Sequence, residues 1–133
     1  MKGQYQIINE ILIVAIGIIL VGVFLFTFTS VENSVTNINE QDQIESISNY
    51  IASGIVKAYS IKNSEIRLEI PEKIGKNVYR IFANENLTIF IPGYNYTKEL
   101  FNIGKNYNIS GEVMSSAGYI KIIANATNIL ITR

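Results

Sequence analysis

Apolar residues are distributed along this chain in three ways, and each predicts a different kind of element. From Met1 to Thr29 (MKGQYQIINEILIVAIGIILVGVFLFTFT) the polar residues cluster at the front, and no charge stands between Glu10 and Glu32. Residues 11–31, rising about 1.5 Å each as a helix, cover about 31 Å, the thickness of a bilayer's hydrocarbon core. Such a helix is apolar around its whole circumference, and a soluble domain of this size has no interior that could surround it. The run is too long for the apolar core of a secretory signal peptide, and its amino-terminal flank carries only Lys2. Phe24, Phe26 and Phe28 stand where the small residues of a cleavage site would be needed. The helix is therefore expected to stay in the mature protein, with residues 11–31 as its membrane-spanning part.

From Ser30 to Ser60 the pattern becomes amphipathic. Val31, Val35 and Ile38, then Ile44, Ile47, Ile51, Ile55 and Ala58, recur at three- and four-residue steps, with Glu32, Asn39, Glu45, Ser46 and Lys57 on other faces. The spacing predicts one long helix over residues 4–60. Its stripe lapses between Ile38 and Ile44, where Gln41 and Asp42 stand among the weak helix formers Asn37 and Asn39, so a bend or break over Asn37–Gln43 is an open alternative to an uninterrupted helix. Gly54 predicts close approach to a packed neighbour. The part from Ile44 to Ala58 is expected to pack on the following domain, and Val31–Ile38 to face neighbouring subunits.

From Asn63 the period changes to two. Ile66, Leu68 and Ile70 alternate with Glu65, Arg67 and Glu69, a half-buried strand that ends at Pro71, which cannot donate to a ladder. Pro71–Lys76 supplies a turn, Val78–Ala83 a strand, Asn84–Asn86 a short hairpin connection, and Leu87–Ile91 a returning strand that stops at Pro92-Gly93. Tyr94–Phe101 is more weakly patterned. Ile109–Met114 and Tyr119–Ala124 flank Ser115-Ser116-Ala117-Gly118 as a second hairpin, and Ile129–Thr132 is a closing strand. The predicted class is α+β: a long N-terminal hydrophobic and amphipathic helix followed by a small antiparallel β-rich head, residues 63–133, in a lollipop arrangement. So small a sheet is marginal alone, and the helix from Ile44 to Ala58 is expected to cover one of its faces.

Composition narrows the function. The formal net charge is 0 over 133 residues, and no basic stripe is present to follow a phosphate backbone, so nucleic acid is not an expected partner. Cys and His are both absent, which removes disulfides, thiolate chemistry and the commonest general base and metal ligand. Lys2 precedes the apolar run, whereas Glu32, Glu40, Asp42 and Glu45 are the first charges after it, which predicts a cytoplasmic amino terminus and an external head.

The front of the apolar run, Lys2-Gly3-Gln4-Tyr5-Gln6-Ile7-Ile8-Asn9-Glu10, resembles that of an archaeal type IV pilin with a class III signal peptide. The resemblance implies a leader, residues 1–3, removed by a prepilin peptidase between Gly3 and Gln4. It also implies Glu10 in the role of the early acid that pairs with a neighbouring subunit's terminal amine. The commonest archaeal pattern has glutamate four residues after the new terminal glutamine; here Ile8 holds that position and Glu10 lies two residues further on. The head is similar to small archaeal pilin-like proteins in Glu65–Gly75 (EIRLEIPEKIG) followed by Val78-Tyr79-Arg80-Ile81. The partners implied are further copies of the chain in a helical homopolymer, the peptidase, the pilus assembly platform, and the membrane before assembly.

Four sequons, at Asn86, Asn95, Asn108 and Asn125, fit the asparagine glycosylation acceptor within the expected external half. An Asn-rich chain produces some by accident, but Asn95 and Asn108 fall in polar surroundings that predict exposed loop. Ser115-Ser116 with Lys121 and Glu69 with Glu72 are weighed as chemistry and assigned to solvated surface, and Asp42 with Glu45 is weighed as a cation site and set aside because two acids fall short of the oxygens calcium requires. No catalytic, metal or cofactor residue is expected, and no enzyme activity. The expected function is a structural subunit of a surface filament, with adhesion among its possible uses. The alternative is a singly anchored extracytoplasmic accessory or binding module of a filament or secretion apparatus.

Overall fold

The structure, a computed structural model, describes residues 2–100 and 102–133, with the side chains of residues 2, 33, 36 and 37 outside the description. Met1 of the expected leader and Phe101 at the end of the weakly patterned stretch therefore lie outside the described residues. The chain divides into two compact units, the first ending at Ile38 and the second comprising Asn39–Arg133.

Helix α1, Lys2–Ile61, is uninterrupted in its backbone, so no break occurs over Asn37–Gln43. Residues 23–53 contain neither Gly nor Pro. A poorly placed Asn costs well under about 1 kcal/mol, too little to end a helix that propagates cooperatively on both sides.

In the first unit the side chains described are exposed, including Ile11, Val14, Ile18, Leu20, Phe24 and Phe28. The apolar stretch Gly3–Glu32 is long and apolar enough to cross a membrane, and none of it is buried within the structure. Its hydroxyls bond inward, Thr27 Oγ1 donating to the Val23 carbonyl at 2.8 Å and Thr29 Oγ1 to that of Leu25 at 2.9 Å. Polar groups satisfied by their own helix are the kind that hydrocarbon tolerates. Phe24 and Phe28, four residues apart, stack with ring centroids 6.5 Å apart.

In the second unit seven strands form one sheet: β1 Ser64–Glu69, β2 Arg80–Ala83, β3 Asn86–Ile91, β4 Tyr94–Glu99, β5 Asn108–Met114, β6 Tyr119–Ala124 and β7 Asn128–Thr132. A short helix, α2 Ile103–Asn106, precedes β5. The strand order is β1-β6-β7-β5-β2-β3-β4, and every neighbouring pair is antiparallel except β5 with β7. Alternation sends Leu68, Ile81, Leu87, Ile89, Val113, Ile120, Ile122, Ile129 and Ile131 to one face. There they form a single core with Ile44, Ile47, Ile51, Ala52, Ile55 and Ala58 of α1. The expected covering of one sheet face by the helix is thus observed. Gly54 explains how closely: a Cβ there would lie 2.5 Å from Leu68 Cδ1 and 3.0 Å from Ile122 Cδ1.

Two strand assignments differ from the sequence pattern. Tyr94–Glu99 is a full strand, joined to β3 by Pro92-Gly93, with Ile91 opposite Tyr94. Proline holds φ negative and Gly93 adopts φ 86°, the combination of a type II turn. Secondly, β5 and β6 do not form a hairpin, because β7 lies between them. Residues Ser115–Ala117 form a 3-10 turn that carries the chain across the end of the sheet. At its far side Gly118 accepts a hydrogen bond from the Ile70 N–H at 3.0 Å, so β6 starts against β1. The slot left open is filled by β7, which pairs antiparallel with β6 and parallel with β5.

Candidate functional site

Gly3, Gln4 and Glu10 all lie in α1 and are exposed. Nothing stands within 4 Å of a Cβ placed on Gly3. Glu10 borders a shallow groove otherwise lined by Ile11, Val14, Ala15 and Ile18, so its carboxylate sits at the margin of an apolar surface.

The four sequon asparagines are all exposed, and the sheet gathers them into two pairs. Asn95 is not in a loop but in β4, and Asn108 opens β5. Polar composition resembled loop there because each strand shows its polar residues to solvent on one face. Across β3 and β4 the register sets Asn86 opposite Glu99, Thr88 opposite Thr97, and Phe90 opposite Asn95. The hydroxyls of Thr88 and Thr97, the third residues of two sequons, lie 3.3 Å apart in hydrogen-bond contact. The second pair meets where β5 and β7 begin: Asn108 N–H donates to the Thr127 carbonyl at 3.0 Å, and Asn125 N–H to that of Asn128 at 2.8 Å.

Asn86 also lines an open cleft with Glu85, Glu99, Leu100, Asn102, Gly104 and Lys105. No group of three or more acidic residues able to hold a metal ion occurs among the described residues.

The face of the sheet away from α1 is open and mixed. Arg80 pairs with Glu112 at 3.1 Å, Lys121 with Glu65 at 3.8 Å, and the Arg67 guanidinium lies 4.0 Å above the Tyr119 ring. Phe82, Phe90, Met114 and Leu130 stand partly exposed among these charges.

Ser115 is not solvated surface. It is fully buried, its Oγ accepting the Tyr79 N–H at 3.0 Å and donating to the Glu72 carbonyl at 2.6 Å. The Tyr79 side chain is also buried, and its hydroxyl donates to the Pro71 carbonyl at 2.6 Å. Burial pushes the Tyr79 phenol well above its usual range by disfavouring the phenolate. The Tyr79 N–H is thus bonded to a side chain rather than to a carbonyl of the ladder, and β2 begins at Arg80 rather than at the expected Val78. With both roles of its hydroxyl occupied by backbone, Ser115 is a clamp rather than a nucleophile. Glu69 and Glu72 are exposed, as are Asp42 and Glu45. No local signal marks Ser115, since its partners lie 36 and 43 residues away.

No family model, curated protein or solved structure matches the chain.

Proposed function

We propose that the chain is a structural subunit, major or minor, of a type IV pilus-like surface filament, assembled through its apolar N-terminal helix. The observation that carries this reading is the unburied apolar stretch Gly3–Glu32 on the same helix that packs the core of a folded sheet unit. A segment apolar on every side is stable in lipid or when surrounded by other apolar helices. A filament subunit occupies both environments in turn. The resemblance at Lys2-Gly3-Gln4 and Glu10 favours this reading over a permanent anchor.

In this reading the leader is removed before Gln4 by a prepilin peptidase, and the helix waits in the membrane with its amino terminus inside and the sheet unit outside. The assembly platform then transfers it into a bundle of its own kind. Each Ile, Leu or Phe buried there contributes about 1.5–3 kcal/mol, and Glu10 meets the terminal amine of a neighbour.

Mass spectrometry of the amino-terminal peptide of the native protein tests the proposal. A mature chain beginning at Gln4 is expected, and Gly3→Leu is expected to leave uncleaved protein in the membrane fraction. A mature chain retaining Met1 or Lys2, or normal filaments from Gly3→Leu, overturns it in favour of a singly anchored accessory module.

A further inference from the structure

We infer that Asn95 is the glycosylated sequon and that Phe90 is the platform on which its first sugar rests. The inference depends on the sheet unit lying outside the membrane, as the filament reading has it. Asn95 and Phe90 are direct cross-strand partners on the open face, and residues so paired have Cβ atoms about 4.5–5.5 Å apart. Phe90 keeps 37 % of its surface exposed although it stands in a paired strand with β2 on its other side. A pyranose ring has an apolar C–H face of about the size of a phenyl ring. Attached to Asn95 Nδ2 it comes within reach of the Phe90 ring and removes that apolar surface from water.

The other three sequons lack such a partner. Asn86 faces Glu99, Asn108 faces Asn128 in the parallel pair, and Asn125 sits in the tight turn closed by its own N–H to Asn128. Space points the same way, because β4 is an outer strand of the sheet with β3 as its one neighbour. A sugar on Asn95 therefore has solvent on one side and Phe90 on the other. The donor is of the polyprenyl-phosphate-linked saccharide class. The bond from its anomeric carbon to the phosphate oxygen breaks, the phosphate leaving with the electron pair. A bond from that carbon to Asn95 Nδ2 forms, and the amide gives up one proton to water.

The test uses the full chain from its native cell, solubilised in detergent, with peptide mapping at all four sequons followed by thermal unfolding. Glycan is expected on Asn95, and Asn95→Gln is expected to lower the unfolding midpoint by a few degrees. In a Phe90→Ala background Asn95→Gln is expected to have no effect, whereas in Phe90→Tyr the loss returns. Protein made in a host without an asparagine-linked pathway should show no effect of Asn95→Gln. Glycan on Asn108 or Asn125 with Asn95 bare overturns the inference while leaving an external sheet unit intact. All four sequons bare, or Asn95→Gln and Phe90→Ala effects that simply add, overturns it as well. None of these results bears on the amino-terminal peptide, which tests the filament reading separately.

Discussion

Tyr79 and Ser115 hold each other by two reciprocal hydrogen bonds, the Tyr79 N–H to Ser115 Oγ at 3.0 Å and the Ser115 N–H to the Tyr79 carbonyl at 2.9 Å. One residue precedes β2 and the other follows β5, so the pair prolongs that strand pairing beyond Arg80 and Met114. The same Ser115 hydroxyl ties in the Glu72 carbonyl, and the Tyr79 hydroxyl ties in that of Pro71. The chain after β1 is thereby fastened to the turn after β5.

Ser115→Ala is expected to destabilise the protein by about 1–3 kcal/mol, because the buried Tyr79 N–H and Glu72 carbonyl each lose a partner. Ser116→Ala, at an exposed position one residue on, is expected to change stability by less than about 0.5 kcal/mol. Thermal unfolding of the full chain in detergent measures both, and equal effects would show that Ser115 is not a clamp.

Tyr79→Phe is expected to cost about 0.5–1.5 kcal/mol near neutral pH, the usual net worth of one hydrogen bond. Its pH dependence carries more information. Burial raises the phenol in the folded state, so folding favours the neutral form. That contribution is fully present below about pH 10, where an unfolded tyrosine titrates, and is lost as pH rises above it toward the raised folded value. Stability measured between pH 8 and 12 should therefore fall off less steeply for Tyr79→Phe than for wild type.

Gly54→Ala improves helix propensity by about 1 kcal/mol yet is expected to destabilise, since its Cβ meets Leu68 and Ile122 and overpacking costs about 1–3 kcal/mol. Gly54→Leu should be worse. Gly17→Ala, with nothing within 4 Å of the added atom, is expected to leave the isolated subunit unchanged or slightly stabilised. Thermal midpoints of the detergent-solubilised proteins distinguish the sites.

Ile18→Lys and Leu20→Lys place a charge on an exposed apolar surface that the proposed filament buries. Each is expected to abolish filaments while membrane insertion and leader removal, scored first, continue. Lysine at Ser116 is expected to be tolerated. Filaments of normal thickness and stability from an inserted, cleaved core variant would remove the helix from the filament core.

Glu10, Asn95 and Ser115 mark how far the sequence alone reaches. The apolar run beyond Glu10, the helical stripe from Ile44 to Ala58 and the period-two strands are legible because each is a local pattern, and apolar residues at those spacings have few ways to leave water. The sequons are motifs of three residues and are equally local. Pairing is different. Sequence proximity suggested that β5 and β6 join through Ser115–Gly118, but a strand's choice of neighbour depends on buried contacts many residues away. The tertiary structure decided that β7 enters between β5 and β6, that Asn95 stands across from Phe90 rather than in a loop, and that Ser115 is a buried tie. For β7 and Ser115 the reason is the same: a polar backbone group or apolar side chain is satisfied by a partner distant in sequence, and the partner is identifiable only once the sheet has closed on its core.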